Sequence, residues 1–313
     1  MLTTLQVILP AAIIVIAGFI AGKKVMDSAG IKALSDLVFF LFLPCLLFRA
    51  MATSQFDTSD FKLLAAYFSV TVVWFFAIAL FAKNVWKEAV PGAVVLGITG
   101  VFSNTVQLGV PIQKLAFGDA GLKLQLSIIA LHSLILITTA TVWIEVWRAK
   151  REVATESLGH TIVHVVKQSV IHPVILPILV GLSWNFAGLP LPQWIDQPLG
   201  FLSQAAGPIM LVLMGAQLSK MALKENLRAA FTFTIIKNFM HPLLVFAACY
   251  AVGLSPLYTA VAVVCASLPT GVNAFIFAQR YRTNEDMVTA ATAASSIAAL
   301  FSVTLALALV PKP

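Results

Sequence analysis

Long apolar runs separated by short polar segments dominate this sequence. An α-helix crosses the hydrocarbon core of a membrane with about 20 apolar residues, and ten stretches of the chain approach that length. We predict transmembrane helices over residues 5–22, 33–52, 63–82, 90–115, 122–147, 169–188, 199–219, 229–252, 256–280 and 286–309. The predicted fold class is therefore an all-α membrane protein.

The fourth and ninth predicted spans differ from the others because polar residues and helix breakers lie at their centres. The fourth reads GITGVFSNTVQLGVPI over residues 97–112, and the ninth reads CASLPTGVNAFIFAQRY over residues 265–281. Backbone groups freed at such breaks are tolerated at membrane depth only where protein or a water-filled cavity satisfies them. We predict two broken, crossing helices. Their predicted breakers are Gly109, Pro111, Pro269 and Gly271.

The two halves of the chain correspond to each other along their length. A shift of 163 residues places Pro10 opposite Pro173, and a shift of 164 residues places Pro44 opposite Pro208 and aligns the two interrupted spans. Residues 1–147 and 169–313 hold five predicted spans each, and the polar stretch 148–168 is predicted to link them on the cytoplasmic side. Because five is odd, the second half enters the membrane from the opposite side. Inverted repeats with paired broken helices are typical of secondary transporters, where they form the substrate site.

The composition excludes a soluble globular domain. Hydrophobic residues make up 60% of the chain and charged residues 11%, whereas soluble domains carry about 25% charged residues. The net charge of +7 is distributed between the apolar runs, so we expect no nucleic-acid partner. With the N-terminus outside, 14 Lys and Arg residues fall in inside loops and 5 in outside loops. Cytoplasmic loops are rich in these residues, which predicts that both chain ends lie outside.

Polar side chains in the two broken spans form the predicted substrate site. Half-helix N-termini carry partial positive charge and free N–H groups, which suit an anion such as a carboxylate. The predicted substrate-binding residues are Ser103, Asn104, Thr105, Gln107, Ser267, Thr270 and Asn273. The alternative is that these residues only join helices to one another, which is a common use of small polar residues in membranes.

Lys237 lies in the middle of the predicted eighth span, where a cation is costly and usually functional. It could attract an anionic substrate, change its charge during transport or bond to carbonyls freed at a broken helix. We predict that it tunes the charge of the site. Neither broken span contains Asp or Glu, which argues against cation antiport.

Motifs for other chemistries are missing from the sequence. His160 and His164 are spaced like metal ligands on a helix, but no third ligand is near them, so we expect no metal site. The sequence contains no phosphate-binding loop and no hydrolase or dinucleotide motif. We therefore expect no enzymatic activity, no cofactor and no ATP-driven transport.

Four segments together resemble one known family. They are LPCLLFRAMA at 43–52, SNTVQLGVPI at 103–112, IIKNFMHPLL at 235–244 and SLPTGVNAFIFAQRY at 267–281. They resemble the auxin efflux carrier family, including its bacterial malonate-transporter-like members. The resemblance implies ten helices in two inverted repeats, a scaffold part and a transport part, an outside N-terminus and often a homodimer.

The resemblance also implies that paired asparagines and prolines surround the carboxylate of the substrate. On this chain they map to Asn104 with Pro111 and to Asn273 with Pro269. The chain lacks the N-P-N tripeptide and the long central loop of the plant members, which favours a bacterial organic-acid carrier over an auxin carrier.

We therefore expect a carrier of small organic anions in the bacterial inner membrane. It would work by alternating access, through an elevator-like or rocking motion about the crossing helices. The coupling ion, sodium or proton, is left open. A sodium-coupled symporter of the bile-acid type is the nearest alternative, and a membrane metabolite receptor or an integral membrane enzyme is a more distant one.

Overall fold

The computed structural model describes residues 2–54, 58–149, 158–221 and 227–310. These residues are almost entirely helical and contain no β-strand beyond one isolated bridge. In chain order the helices are α1 Leu2–Lys24, α2 Ser28–Leu37, α3 Leu43–Ala52, α4 Thr58–Asn84, α5 Val90–Val101, α6 Val110–Ala149, α7 Leu158–Ile171, α8 Ile175–Phe186, α9 Gln193–Leu218, α10 Leu227–Ile235, α11 His241–Ala251, α12 Pro256–Ser267, α13 Val272–Tyr281 and α14 Glu285–Leu309.

The helices of the described residues are long and apolar enough for a multi-pass membrane protein. Seven of them could cross a membrane: Gln6–Lys24, Ser28–Ala52, Thr58–Asn84, Thr105–Ala149, Gln193–Leu218, Leu227–Ala251 and Glu285–Leu309. Three apolar helices are shorter: Val90–Val101, Ile175–Phe186 and Pro256–Ser267. The predicted linker 148–168 includes the start of α7, whereas residues 150–157 lie outside the described part of the chain.

The 45-residue segment Thr105–Ala149 is divided by a sharp bend. Gly118 has φ 64° and ψ −148° within it, a backbone conformation that residues with a side chain rarely adopt. The bend separates the end of the predicted fourth span from the predicted fifth span, so a chain reversal is present where hydropathy alone predicted a short loop.

Three π-helical turns precede helices that carry proline at their second position. The turns are Val38–Phe42, Thr105–Gly109 and Ile236–Met240, and the prolines are Pro44, Pro111 and Pro242. A proline ring clashes with the carbonyl four residues before it. A π-helical turn directs hydrogen bonds to the carbonyl five residues back, as the N–H of His241 does towards Ile236. The wider turns therefore let the chain remain helical next to these prolines.

The short helices α5 and α12 lie at the centre of the bundle. Every residue of α5 from Gly92 to Val101 is buried, and so is every residue of α12 from Thr259 to Ser267. Each helix has 12 residues, too few to cross a bilayer. Both helices therefore end inside the protein.

Helices α1 and α9 pack with their backbones in contact. A Cβ atom added at Gly18 would collide with the carbonyl oxygen of Val212, and one added at Gly215 would collide with that of Val15. Close contact between backbones through small residues is a usual way for membrane helices to associate. The two helices therefore form a closely fixed pair.

We expect Gly215→Ala to destabilise the protein by about 1–3 kcal/mol, because the added methyl group would overpack a closed helix contact. Thermal unfolding in detergent measures the effect. Gly159→Ala is the matched control, since nothing lies within 4 Å of the added atom. Equal melting temperatures for the two variants would contradict the close packing of α1 and α9.

Candidate functional site

Two extended segments cross where α5 and α12 end, and they form an antiparallel β-bridge. The N–H of Asn104 donates to the carbonyl of Pro269 over 2.8 Å, and the N–H of Gly271 donates to the carbonyl of Phe102 over 2.8 Å. These two bonds join the broken helices directly. They also satisfy backbone groups that would otherwise be unpaired inside the bundle.

The residues at the centre of the bridge are held by side chains from the two long helices that follow. The N–H of Ser103 donates to Nε2 of His132 in α6 over 3.2 Å, and the N–H of Thr270 donates to Oγ of Ser295 in α14 over 2.9 Å. The hydroxyl of Thr270 donates to the carbonyl of Thr99 over 3.0 Å. Each extended segment is thus fixed by the helix that follows it and by the other broken helix.

Two glutamine side chains hydrogen-bond to the first crossing segment and to each other. Nε2 of Gln125 donates to the carbonyl of Thr105 over 2.8 Å, while Nε2 of Gln113 donates to Oε1 of Gln125 over 3.2 Å and to the carbonyl of Val261 over 2.9 Å. A Cβ atom at Gly109 would approach Nε2 of Gln125 to 2.5 Å. Glycine at this position therefore leaves room for the glutamine that supports the crossing.

The first break lies earlier than the sequence predicted. Helix α5 ends at Val101, and Pro111 lies after the π-helical turn Thr105–Gly109, which keeps the chain helical into α6. Asn104 starts the new helical segment instead, because its Oδ1 accepts from the N–H of Gln107 over 3.2 Å. The prediction that Pro111 breaks this span is wrong for that reason.

The second break lies where the sequence predicted it. Leu268 adopts an extended conformation with φ −62° and ψ 154°, as steric contact with a following proline requires. Pro269 itself lies in the extended segment, and Gly271 precedes the first turn of α13. Proline thus determines the end of α12 directly.

A cavity of about 350 Å³ lies beside the crossing. Five residues of the predicted substrate site line it, namely Ser103, Asn104, Thr105, Gln107 and Asn273. Other helices add polar groups that the sequence analysis did not identify, namely Ser35, Asp36, Ser133, His172 and Gln217. His172 lies in the break between α7 and α8, next to Pro173. The other four lie within helical segments without a motif beside them, and only their helical register relative to the crossing would have marked them.

Several polar groups of this cavity have no partner. The side chain of Asn273 makes no hydrogen bond with the described residues, and the hydroxyl of Ser103 is buried without a partner there. The amide nitrogen of Asn104 donates only one long bond among the described residues, of 3.4 Å to Oε1 of Gln107. Buried polar groups are nearly always paired, so the buried hydroxyl of Ser103 is an exception. Asn104 and Asn273 are partly exposed at the cavity, where a ligand can reach their side chains.

Ser267 and Thr270 do not line the cavity, although the sequence predicted that both would contact substrate. Both are buried, and the hydroxyl of Ser267 donates to the carbonyl of Val264 over 2.8 Å. The hydroxyl of Thr270 donates to the carbonyl of Thr99 in α5. The side chain of Thr270 thus joins the second crossing segment to α5, whereas that of Ser267 bonds within α12.

Lys237 also lies outside the cavity lining. Its side chain is fully buried within the π-helical turn between α10 and α11. Its Nζ donates to the carbonyl of Ala266 over 2.6 Å and to that of Leu268 over 2.8 Å. Of the possibilities left open by the sequence, the structure shows the bond to carbonyls freed at the break.

A second cavity of about 730 Å³ lies on the other side of the first turn of α6. Pro111 and Lys114 line this larger cavity, whereas Thr105 and Gln107 line the smaller one. Arg49 and Asp196 line the larger cavity and form an ion pair. Nε and a terminal nitrogen of Arg49 donate to the carboxylate of Asp196 over 2.6 and 3.1 Å. The start of α6 thus separates two cavities.

The comparisons with known proteins agree with this architecture. The family model described as "Membrane transport protein" matches residues 3–307. The chain is 25% identical to a "Putative malonate transporter" of Rhizobium meliloti (strain 1021), over 95% of this chain and 92% of that protein. It is 24% identical to "Auxin efflux carrier component 8" of Arabidopsis thaliana, over 63% of this chain and 65% of that protein.

We expect Ser295→Ala to lower the free energy of unfolding by about 1–3 kcal/mol, because it leaves the buried N–H of Thr270 without an acceptor. Ser296→Ala is the matched control, since that hydroxyl only donates to a carbonyl of its own helix. Denaturant unfolding in detergent compares the two. A loss at Ser296 as large as that at Ser295 would show that the bridge does not depend on this bond.

Proposed function

Because this chain belongs to the membrane transport protein family, which includes the auxin efflux carriers, we propose that it is a secondary active carrier of small organic anions. Membership of this family makes it a membrane transporter rather than an enzyme. The polar groups at the crossing support the proposed substrate class, and the two cavities support the proposed mode of transport.

The unpartnered donors at the crossing carry the proposal. The first turn of α13 begins at the cavity with Gly271, Val272 and Asn273. Helix N-termini present N–H groups and partial positive charge, which favour a carboxylate. The amide of Asn273 and the hydroxyl of Ser103 add further donors beside them. A carboxylate held between these groups would accept the hydrogen bonds that the protein leaves unmade.

The charge distribution near the cavity supports an anionic substrate. Asp36 is the one acidic residue of its lining within the described chain, and it forms an ion pair with Lys32 over 2.8 Å. The crossing segments contain neither Asp nor Glu. No carboxylate at the crossing therefore repels an incoming anion, and a bound cation would lack an acidic ligand there.

A small dicarboxylate is the substrate that we propose to test first. The relative from Rhizobium meliloti is named for malonate and matches nearly the whole chain. A cavity of about 350 Å³ is at the small end of the range for ligand sites. It would hold a short dicarboxylate together with some water more readily than a large aromatic acid.

We further propose alternating access about the crossing, within ten helices arranged as two inverted five-helix repeats. The equivalent roles of His132 and Ser295, each holding a bridge residue, support that symmetry. The cavities on either side of the start of α6 would open in turn. An elevator-like motion, a homodimer and placement in the plasma membrane with both ends outside complete the proposal, on the strength of the family resemblance.

We expect Asn273→Ala and Asn104→Ala each to reduce uptake of labelled malonate into proteoliposomes by about tenfold or more. A hydrogen bond to a charged group contributes about 1.5–3 kcal/mol. Gln279→Ala is the control, because Gln279 is exposed on the same helix as Asn273. Uptake that both asparagine variants retain in full would remove the proposed site.

A further inference from the structure

Helix α12 ends inside the protein, and its last backbone carbonyl groups must find hydrogen-bond donors other than the N–H groups of the helix. The carbonyl groups of residues 264–269 all accept hydrogen bonds, although the helix stops at Ser267. Side-chain hydroxyls and backbone N–H groups satisfy four of them. The remaining two, from Ala266 and Leu268, converge on Nζ of Lys237. A helix C-terminus carries partial negative charge, so a cation is favoured at this point.

Among the described residues, no carboxylate forms an ion pair with Lys237. The ion pairs of the described residues involve other lysines and arginines, and the Lys237 side chain is fully buried. A buried ammonium without an acidic partner requires other electrostatic compensation. Here that compensation comes from the carbonyls of the broken helix.

Carbonyls of unwound segments and C-terminal ends of half-helices are the groups that bind sodium in secondary transporters built on broken helices. On this chain the same kind of group binds an ammonium that is part of the protein. We propose that Lys237 is a resident cation, which fills the role of a coupling sodium ion at the second break and makes transport independent of sodium. This inference rests on the proposed carrier function.

The position of Lys237 explains how it would act on a cavity that it does not touch. It holds the carbonyl of Leu268, and the next residue, Pro269, accepts the bridge bond from Asn104. Asn104 in turn lines the cavity. Lys237 is therefore a positioning residue, since it orders the extended segment to which the substrate site is attached.

The neighbouring residue shows that this helix turn is built to hold the crossing. The amide of Asn238 donates to the carbonyl of Ser295 and to the hydroxyl of Ser302, and its oxygen accepts from the hydroxyl of Ser295. Ser302 donates to the carbonyl of Ser267. The π-helical turn Ile236–Met240 thus directs two successive side chains towards the same break.

The wild-type protein provides the first test. We expect malonate uptake into proteoliposomes to change by less than about twofold when sodium is replaced by choline at a fixed membrane potential. Sodium should likewise leave the melting temperature of the purified protein unchanged relative to choline. A larger loss of uptake in choline, or a sodium-specific rise in melting temperature, would overturn the proposal.

Two variants then test whether the cation itself is the important feature. Lys237→Ala removes the ammonium and vacates its space, whereas Lys237→Met removes the charge but keeps a side chain of similar length. We expect sodium to raise the melting temperature of Lys237→Ala by about 3 °C or more relative to choline, because an ion that binds only the folded state stabilises it. We expect sodium to leave Lys237→Met unchanged and to restore part of the uptake of Lys237→Ala alone.

The outcomes separate this inference from the carrier proposal. Lys237→Ala with no response to sodium, or Lys237→Met with an equal response, would overturn the resident cation, since a purely structural lysine predicts no such difference. If the wild type moved no carboxylate at all, the carrier proposal would fail. The melting temperatures, which need no substrate, would still decide whether sodium takes the place of Lys237.

Discussion

The central constraint on this protein is that two helices stop inside a membrane bundle, where water cannot satisfy the backbone groups that they leave unpaired. The chain meets this constraint by pairing the breaks with each other, through the bonds between Asn104 and Pro269 and between Gly271 and Phe102. Each extended segment needs the other to complete its backbone hydrogen bonds. The position of each broken helix therefore depends on the other, and the crossing is a single structural unit.

The C-terminal end of α12 and the N-terminal end of α13 differ in how their backbone groups are satisfied. The carbonyls at the end of α12 are all satisfied, two of them by Lys237. The donors at the start of α13 and the amide of Asn273 face a cavity. Unpaired donors recruit anions, whereas satisfied acceptors do not recruit cations. The proposed preference for an anion rests on this difference, since the described lining of the cavity contains no lysine or arginine.

The packing around the crossing bears on the alternating access that we propose. Helices α1 and α9 are fixed to each other by contact between backbones at Gly18 and Gly215. The crossing is held separately, by α6 and α14 through His132 and Ser295. The two groups also contact each other, since α1 and α9 pack against α6, and the proposed motion would require a shift at that contact. The cavities on the two sides of the start of α6 lie where such a shift would open and close a path.

The membrane class, the family and the presence of breaks in two spans can be inferred from the amino-acid sequence. These features depend on local properties, namely the length of apolar runs, the geometry that Pro269 imposes on Leu268 and the short polar segments at the centres of two apolar spans. The resemblance to the auxin efflux carriers is confirmed by the family match over residues 3–307. Local chemistry also identified Asn104 and Asn273 as residues of the crossing that line a cavity.

Tertiary structure alone decided which polar residues face the cavity and which support it. Ser267 and Thr270 lie beside the second break in sequence, yet their hydroxyls point to backbone carbonyls, whereas Ser133 and Gln217 reach the cavity from other helices. The partners of Lys237 are 29 and 31 residues away along the chain. The hydropathy of a residue records whether it prefers water or lipid, but a hydrogen bond inside the bundle depends on which helices pack together and in what register. That information arises only when the chain folds.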